Sequence, residues 1–382
     1  MAEMKKTIAE VAISAHLKLA GKIETKSKVP LKSTNDLNIF YTPGVAAVSS
    51  FLAKHKERVR DFTIKNNTVA IVSDGSAVLG LGNIGVEGAI PVMEGKAMIY
   101  KEFAGVNAFP IVLATQDTEE IIRTVVYIAP VFGAIQLEDI SAPRCFEIEK
   151  RLIEQLDIPV MHDDQHGTAI VVLAALINAM KVVEKDLKKV KIVIMGAGAA
   201  GSGIARLLVS YGVSNILVCD SHGVISASRE GLDANKADLA RITNPKNFSG
   251  KVEEAVWRAD VLVGVSTGGK ISGEMIRKMA SRPIVFAMAN PNPEILPTVA
   301  IASGAYIAAS GRSDFENQIN NLLAFPGVFK GVLENKVFKI TTDMKIRAAR
   351  SLAGLVKTPN RYKILPSPFD KKVVQAVASA IK

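Results

Sequence analysis

Two pairs of acidic residues stand in matching positions of the chain, Glu138-Asp139 and Asp163-Asp164. Each pair follows a short apolar run that predicts a buried strand, and a stretch with helical spacing separates the two runs. We therefore expect the four carboxylates to share one end of a sheet. Carboxylates held that close repel one another unless they share protons or bind a cation, and oxygen-only ligation suits Mg²⁺ or Mn²⁺. A hard divalent metal site is the first hypothesis; carboxylates that face solvent or cap helices are its alternative.

Two further residues could move protons beside such a site. Lys96 precedes a helical run, residues 97–103, so we expect it at a helix start. The helix dipole lowers the pKa of a lysine there, a nearby metal ion lowers that pKa further, and the lysine could then act as a base near neutral pH. Tyr41 stands just before a helix expected to open at Pro43 and Gly44. A surface lysine and a packed tyrosine with a surface hydroxyl are the ordinary alternatives.

A glycine-rich stretch predicts a dinucleotide site. Residues 192–195 predict a strand, residues 196–201 spell G-x-G-x-x-G, and residues 202–211 predict the helix whose N-terminus would face a pyrophosphate. A second predicted strand, residues 216–219, ends before an acid, which completes the expected context. The residues expected to bind the cofactor are Gly196, Gly198, Ala199, Ala200, Gly201, Asp220 and Asn290.

Asp220 bears on the choice between NAD and NADP. It follows the second strand, 19 residues beyond Gly201. A carboxylate there suits the free ribose 2′-hydroxyl of NAD and would repel a 2′-phosphate. Ser221, His222 and Arg229 keep NADP possible. We therefore expect NAD as the cofactor, with NADP as the alternative.

Two asparagines are candidate ligand residues. Asn290 falls at the carboxyl end of a predicted strand, residues 284–289, where ligands bind in open parallel sheets. Asn320 enters a helical apolar run, so an N-cap is its ordinary role. A nicotinamide that accepts hydride, a base and a hard metal together predict metal-assisted oxidation of a hydroxy acid. The residues do not by themselves establish decarboxylation.

An α/β fold must position these candidates. Predicted strands and helices alternate, and 382 residues suffice for two domains. We expect an N-terminal α/β domain over residues 1–165. A Rossmann-type, doubly wound parallel sheet with closing helices is expected over residues 166–382.

Charge and composition limit the possible functions. The net charge of +10 gathers at the ends, because residues 1–65 hold 12 basic against 6 acidic side chains and residues 330–382 hold 12 against 3. The middle is therefore acidic, and we expect no nucleic-acid partner, since no recognition motif or aromatic-interleaved basic stretch is found. The longest apolar run, residues 169–180, is short for a membrane span of about 20 residues. The N-terminal segment predicts an amphipathic helix rather than a signal peptide, so we expect a cytoplasmic protein.

Eight segments together resemble the malic enzyme family in its short bacterial form, from about residue 15 to residue 360. They are YTPGVA, DGSAVLGLGNIG, PVMEGKAMIYKEFAGV, QLEDISAPRCFEIEKRL, PVMHDDQHGTAIV, GAGAAGSGIA, FAMANPNPEI and SGRSDFENQINNLLAFPG. The resemblance implies an N-terminal malic enzyme domain before the Rossmann domain, and conversion of (S)-malate into pyruvate and CO₂ with reduction of NAD(P)⁺. A homodimer is expected by the same resemblance.

The resemblance also implies roles for individual residues. Lys96 would take the C2-hydroxyl proton and Tyr41 would protonate C3 of the enolate. The metal ion would be held by Glu138, Asp139 and Asp164, with Asp163 beside the metal and Lys96. Asn290 and Asn320 would contact malate or the nicotinamide end.

Two points qualify the resemblance. Adjacent strand residues point to opposite faces, so Glu138 and Asp139 can both bind the metal only if the chain bends, and residues 141–143 offer that bend. Larger eukaryotic members have an arginine where this chain has Ser76-Ala77, so another cation or loop amides must hold one malate carboxylate. A hydroxy-acid dehydrogenase that does not decarboxylate and a catalytically silent NAD-binding regulatory protein are the alternative functions.

Overall fold

A computed structural model describes residues 7–382, apart from the side chain of Leu79. The elements before residue 185 are α1 (Ile8–Leu19), α2 (Thr34–Phe40), α3 (Gly44–Lys54), α4 (Val59–Phe62), β1 (Thr68–Ser73), α5 (Gly85–Ile99), β2 (Asn107–Val112), α6 (Thr118–Ile128), β3 (Ala134–Leu137), α7 (Arg144–Gln155), β4 (Val160–His162) and α8 (Asp163–Val183). The later elements are β5 (Lys191–Met195), α9 (Ala199–Tyr211), β6 (Asn215–Asp220), β7 (Gly223–Val224), α10 (Ala234–Ile242), α11 (Val252–Ala255), β8 (Val261–Gly264), α12 (Gly273–Arg277), β9 (Ile284–Ala287), α13 (Pro297–Ala302), β10 (Ile307–Ser310), α14 (Phe325–Glu334), α15 (Thr342–Gly354) and α16 (Lys372–Ala378).

The first sheet has four parallel strands in the order β2-β1-β3-β4. Its inner strand β1 is buried on both faces, because Val69 and Ile71 pack into one core while Ala70 and Val72 pack into another. This alternation explains why the strand is apolar throughout. The parallel strands β3 and β4 end at the same edge, and the acidic pairs follow them there.

The second sheet has six strands in the order β10-β9-β8-β5-β6-β7. The prediction of an α/β fold with a Rossmann-type second sheet is confirmed. One detail differs: the edge strand β7 runs antiparallel to β6, so the sheet is mixed. The order reverses between β5 and β8, which is where open sheets of this kind bind ligands.

Helix α8 connects the two sheets. It has 21 residues, which is longer than the apolar run in the sequence suggested, and its length and composition would suffice for a membrane span. However, 72% of its apolar window is buried inside the molecule, so it forms part of the hydrophobic core. Gly203 of α9 packs on its first turns, where a Cβ would come within 2.2 Å of the Gln165 carbonyl oxygen. The boundary near residue 165 remains a prediction.

The N-terminal segment, residues 7–54, lies outside these cores. Helices α1, α2 and α3 contain no buried residue. One anchor is visible at Lys22, whose backbone NH and ammonium donate to Glu94 and to the Pro91 carbonyl of α5, at 3.2 and 2.6 Å. Many apolar side chains of the three helices therefore face solvent in the single chain, among them Ile8, Leu17 and Phe40.

Candidate active site

The carboxylate centre comprises Glu138, Asp139, Asp163, Asp164 and Lys96. Glu138 and Asp139 follow β3, and Asp164 lies in the first turn of α8. One ligand oxygen from each of Glu138, Asp139 and Asp164 lies within 4.8 Å of the other two. Asp164 also accepts a hydrogen bond from the Asp139 backbone NH at 2.9 Å. Three carboxylate oxygens thus converge, which is the donor set that Mg²⁺ and Mn²⁺ prefer.

The bend that brings Glu138 and Asp139 to one side occurs at Asp139 itself. Its φ of +54° is left-handed, a conformation that aspartate tolerates better than most residues. The loop after β1 holds this turn: the Ala77 NH donates to the Asp139 carbonyl at 2.9 Å, and the Ser141 NH donates to Ser76 Oγ at 2.9 Å. The expected bend at residues 141–143 is therefore placed too late.

The second acidic pair begins a helix and does not end a strand. Helix α8 starts at Asp163, directly after β4 ends at His162. Both carboxylates consequently lie at the positive end of the helix dipole. Asp163 Oδ1 lies over the backbone of Gly167, so close that a Cβ there would come within 1.8 Å of it. The glycine thus gives the buried carboxylate its space.

Lys96 lies inside the centre, in the last turn of α5. Its ammonium is 2.6 Å from Asp163 Oδ2 and 2.8 Å from Glu138 Oε1, and it stands 4.6 Å from the centroid of the Phe325 ring. The prediction that Lys96 begins a helix is wrong. Helix α5 continues directly into a π-helical turn, Tyr100–Ala104, so Lys96 lies within a longer helical segment and the pKa-lowering effect of a helix start does not act on it.

The centre carries more negative than positive charge. Burial alone would lower the pKa of the Lys96 ammonium, yet Asp163, Glu138 and Asp164 outweigh burial and raise that pKa. Burial raises the pKa of Glu138 well above its ordinary value and also raises the pKa of Asp163, against the opposing charge of Lys96. Four carboxylates thus meet one ammonium and the His162 imidazole, which is 3.0 Å from Asp164, so further protons or another cation must balance the remaining negative charge. The donor set and this charge together fit a divalent metal ion.

Sequence analysis missed Tyr100 and Gln136, which support the centre. The buried Tyr100 hydroxyl donates to Gln136 Oε1, and Gln136 Nε2 donates to Glu138 Oε2 at 2.6 Å. The signal was spacing: Tyr100 follows Lys96 by four residues, and Gln136 precedes Glu138 by two on one strand face. These contacts fix the Glu138 carboxylate.

A buried polar network, which we call the Glu149 cluster, lies behind the second acidic pair. It comprises Glu149, His162, Gln165, His166 and Lys345. Glu149 accepts from the His162 backbone NH at 2.7 Å and from Gln165 Nε2 at 3.0 Å, and its carboxylate is also 3.0 Å from His166 Nε2. Lys345 Nζ is 2.9 Å from His166 Nδ1, and His162 Nε2 is 3.0 Å from Asp164. The cluster therefore fixes the junction between β4 and α8. No sequence motif pointed to Glu149.

A cation does lie beside Ser76, where the family resemblance left an arginine missing. Arg144 donates to Asp74 at 2.7 Å, to Ser76 Oγ at 2.9 Å and to Ser141 Oγ at 3.0 Å. It also donates to the Gln116 carbonyl at 2.6 Å. With these partners the guanidinium holds together the loops at the edge of the first sheet.

The loop after β5 leaves space for a pyrophosphate. Gly196 has a φ of +124°, and a Cβ on Gly201 would come within 1.8 Å of the Gly196 carbonyl oxygen, so both positions require glycine. A Cβ on Gly198 would meet open space, and Gly198 is the N-cap of α9 without a side-chain cap. Ala199 and Ala200 open that helix, whose amides are suited to an anion.

Asp220 ends β6 beside this loop, because the Gly196 NH donates to the Cys219 carbonyl at 2.9 Å. Arg229 donates to both Asp220 carboxylate oxygens, at 2.9 and 2.6 Å, and Lys236 Nζ is 3.0 Å from Oδ2. Asp220 is therefore engaged by two cations, which its position in the sequence did not indicate.

The remaining candidate residues from the sequence are Asn290, Asn320 and Tyr41, and they lie in different parts of the structure. Asn290 touches the glycine-rich loop of the first sheet, since a Cβ on Gly80 would come within 1.8 Å of its carbonyl oxygen. Asn320 caps a short 3-10 helix by accepting from the Leu322 NH at 3.0 Å. Asn321 packs on Gly167 of α8. Tyr41 is 65% exposed between α2 and α3, so the single chain does not bring it into the buried centre.

The fold and this site define a class of two-domain oxidoreductases that pair a dinucleotide-binding sheet with an acidic centre. Residues 20–153 match the family described as "Malic enzyme, N-terminal domain", and residues 165–381 match "Malic enzyme, NAD binding domain". The chain therefore belongs to the malic enzyme family.

Individual relatives agree with this assignment. The chain is 53% identical to an NAD-dependent malic enzyme of Geobacillus stearothermophilus, over 95% of this chain and 76% of the relative. It is 48% identical to a bifunctional malic/malolactic enzyme of Bacillus subtilis, over 98% of this chain and 92% of the relative. The crystal structure of an NAD-dependent malic enzyme from Thermotoga maritima superposes with a TM-score of 0.93 at 47% identity, over 97% and 98% of the two chains.

Proposed function

We propose that the chain oxidises (S)-malate and releases pyruvate and CO₂ while NAD⁺ is reduced. The observation that carries this proposal is the carboxylate centre, where a lysine ammonium lies 2.6 and 2.8 Å from two buried carboxylates beside the converging ligand oxygens. An alcohol oxidation needs a group that moves the hydroxyl proton, and a following decarboxylation needs stabilisation of negative charge on oxygen. The centre offers residues for both tasks.

Glu138, Asp139 and Asp164 would hold Mg²⁺ or Mn²⁺. A bound ion supplies Lewis-acid stabilisation of the substrate oxygens, and nicotinamide supplies the hydride acceptor. The chain itself positions the carboxylates that would bind the ion. Gln136 holds Glu138 by a hydrogen bond of 2.6 Å, and the left-handed turn at Asp139 aims a second carboxylate at the same point. Both ligands are thus fixed before an ion binds.

Lys96 would accept the C2-hydroxyl proton at Nζ. It must first release one of its own protons, and Asp163 Oδ2 at 2.6 Å is a direct acceptor for it. Asp163 therefore holds Lys96 in place and exchanges a proton with it. Tyr41 would return a proton to C3 of the substrate. Asn290 and Asn320 would contact malate or the nicotinamide end.

The same proposal includes a homodimer in the cytoplasm. Helices α1 to α3 expose apolar side chains, among them Ile13, Leu17 and Phe40, and an apolar surface of this kind calls for a covering partner. Tyr41 belongs to this surface. It can act in catalysis only if a carboxylate centre lies next to this surface in the assembled protein. A second copy of the chain, seated on the three helices, would do both.

The function is tested by measuring NADH and CO₂ from (S)-malate and Mn²⁺, with and without a chelator. Equal amounts of NADH and CO₂ that both vanish on chelation support the proposal. NADH without CO₂, or NADH that survives chelation, would identify a plain hydroxy-acid dehydrogenase and overturn it.

The dimer is tested by mixing two inactive variants, Tyr41→Phe and Lys96→Ala, under conditions that exchange subunits. If Tyr41 acts in the partner's centre, each mixed dimer contains one intact centre and activity returns. Light scattering that reports a dimer, with no activity after exchange, places Tyr41 in its own chain's centre. Light scattering that reports a monomer would overturn the proposed homodimer.

A further inference from the structure

Asp220 does not stand alone at the end of β6. Arg229 contacts both of its carboxylate oxygens, Lys236 contacts one at 3.0 Å, and the His222 backbone NH donates to Oδ1 at 2.9 Å. We call Asp220, Arg229 and Lys236 the ribose cluster. A carboxylate flanked by two cations presents little unbalanced charge to an incoming phosphate.

The two cations are also the more accessible members of the ribose cluster. The Asp220 side chain is 9% exposed, while those of Arg229 and Lys236 are 21% and 28% exposed. The other nearby acid, Asp233, is 3.9 Å from Lys236, and its Oδ1 caps α10 by accepting from the Lys236 NH. The guanidinium and the ammonium are therefore the groups that an anion would meet first.

The cluster is fixed relative to the pyrophosphate loop. Asn235, the residue before Lys236, donates to Ser202 of α9 at 2.9 Å and accepts from Arg206 of the same helix at 2.8 Å. These bonds attach the first turn of α10 to the first turns of α9. A dinucleotide whose pyrophosphate lies at the start of α9 would thus place its adenosine ribose at the cluster.

We propose that Arg229 and Lys236 bind the 2′-phosphate of NADP, so that the chain accepts both dinucleotides and Arg229 sets the ratio between them. With NAD, the ribose hydroxyl donates to Asp220, which keeps its pairing with the cations. With NADP, the guanidinium turns from the carboxylate to the phosphate, since both anions suit its planar pair of donors. This inference rests on the proposed dinucleotide role of the loop after β5.

The test is equilibrium binding of NADH and NADPH, followed by dinucleotide fluorescence in the absence of malate and metal ion. The intact chain should bind the two within about tenfold of each other. Arg229→Ala should weaken NADPH by about 10- to 100-fold, because a charge-assisted contact contributes about 1.5–3 kcal/mol, and should change NADH less than threefold. Arg241→Ala is the matched control, since Arg241 is an arginine on α10 outside the ribose cluster and pairs with Asp238.

A double variant distinguishes direct contact of Arg229 with the 2′-phosphate from mere neutralisation of the Asp220 charge by Arg229. Removal of Arg229 also leaves Asp220 free to repel a phosphate, so Arg229→Ala is repeated with Asp220→Asn. NADPH binding that stays weak in the double variant supports direct contact with the phosphate. Full recovery would mean that Arg229 only shields Asp220 and would overturn the proposal.

The wild-type chain distinguishes this inference from the proposed function. Binding of NADH with rejection of NADPH overturns the inference alone. If neither dinucleotide binds a chain whose near-ultraviolet circular dichroism is that of a folded protein, the proposed function fails as well.

Discussion

The carboxylate centre and the ribose cluster handle charge in opposite ways. In the first, four carboxylates gather around one lysine, which contacts two of them; in the second, two cations hold one carboxylate. Each imbalance indicates what would complete the site. The excess of carboxylates suits a divalent cation, and the accessible cations suit a phosphate. The two regions should therefore respond independently when one member of either is changed.

The largest effect is expected from Asp164→Asn, which removes one of the three converging carboxylates and a share of the negative charge. We expect Mn²⁺ binding and oxidation of malate to fall below detection, because an amide is a much weaker ligand for a hard cation. Titration followed by electron paramagnetic resonance measures Mn²⁺ binding, and NADH formation measures the oxidation of malate. NADH binding should not change, since the ribose cluster is untouched.

Asp186→Asn provides the control for that variant. Asp186 follows α8 and is about half exposed, so its loss should alter neither ligand. Retention of tight Mn²⁺ binding by Asp164→Asn would show that the excess of carboxylates does not hold the metal ion. The account of the carboxylate centre given above would then be wrong.

Lys96→Ala should have the next largest effect and separates catalysis from charge balance. It removes the ammonium 2.6 Å from Asp163, so we expect turnover to fall by about 10²- to 10⁴-fold, the usual contribution of a positioned proton-transfer group. Mn²⁺ binding should persist, because the three ligand carboxylates remain and a competing positive charge is gone. Lys101→Ala, which removes an exposed lysine hydrogen-bonded to Asn107, is the control. Equal losses of turnover and Mn²⁺ affinity would make Lys96 structural.

The fold was largely predictable because its strands carry strong local signals. The strand β1 is apolar on both faces, and a side chain would strike backbone at Gly196, where the chain turns, and at Gly201 inside α9. Such signals can be read from residue types and their spacing over a short stretch of the sequence. The acidic pairs were equally visible, and the structure places ligand oxygens of Glu138, Asp139 and Asp164 within 4.8 Å of one another.

Other features of the site depend on contacts between distant residues. The apolar run at residues 169–180 did not indicate that α8 starts at Asp163, because Asp163 and Asp164 do not resemble the apolar turns that follow them. The pKa of Lys96 was expected to fall because its helix was taken to begin at Lys96, whereas α5 begins at Gly85 and the neighbouring carboxylates raise that pKa. The pairing of Asp220 with Lys236 was hidden for a similar reason, because Asp220 ends strand β6 and Lys236 lies 16 residues further along, on helix α10.

The smallest of the three effects on turnover is expected from Glu149→Gln, because Glu149 acts on the metal ligands only through the β4–α8 junction. The change keeps the shape of the side chain but removes the charge that faces His166. Since Asp164 is held by His162, whose backbone bonds to Glu149, Mn²⁺ affinity should fall by about 10- to 100-fold, as is typical when a partner of a metal ligand is lost. Turnover at saturating Mn²⁺ should change little, and NADH binding should not change.

The same substitution has a pH signature that separates it from a general loss of stability. Burial alone would raise the pKa of Glu149, but His166 and Lys345 outweigh it and lower that pKa to about 2. A carboxyl group with a lowered pKa stabilises the fold above its ordinary pKa of 4.5 and loses that contribution as pH falls towards 2. Glu149→Gln should therefore be less stable than the wild type at pH 6, by roughly 3 kcal/mol, and the difference should shrink as pH falls below about 4.5. Glu147→Gln, an exposed change on the same helix, should show neither effect in urea unfolding. A stability difference that is constant with pH would mean that Glu149 is held by packing, and its link to the carboxylate centre would then lack an electrostatic basis.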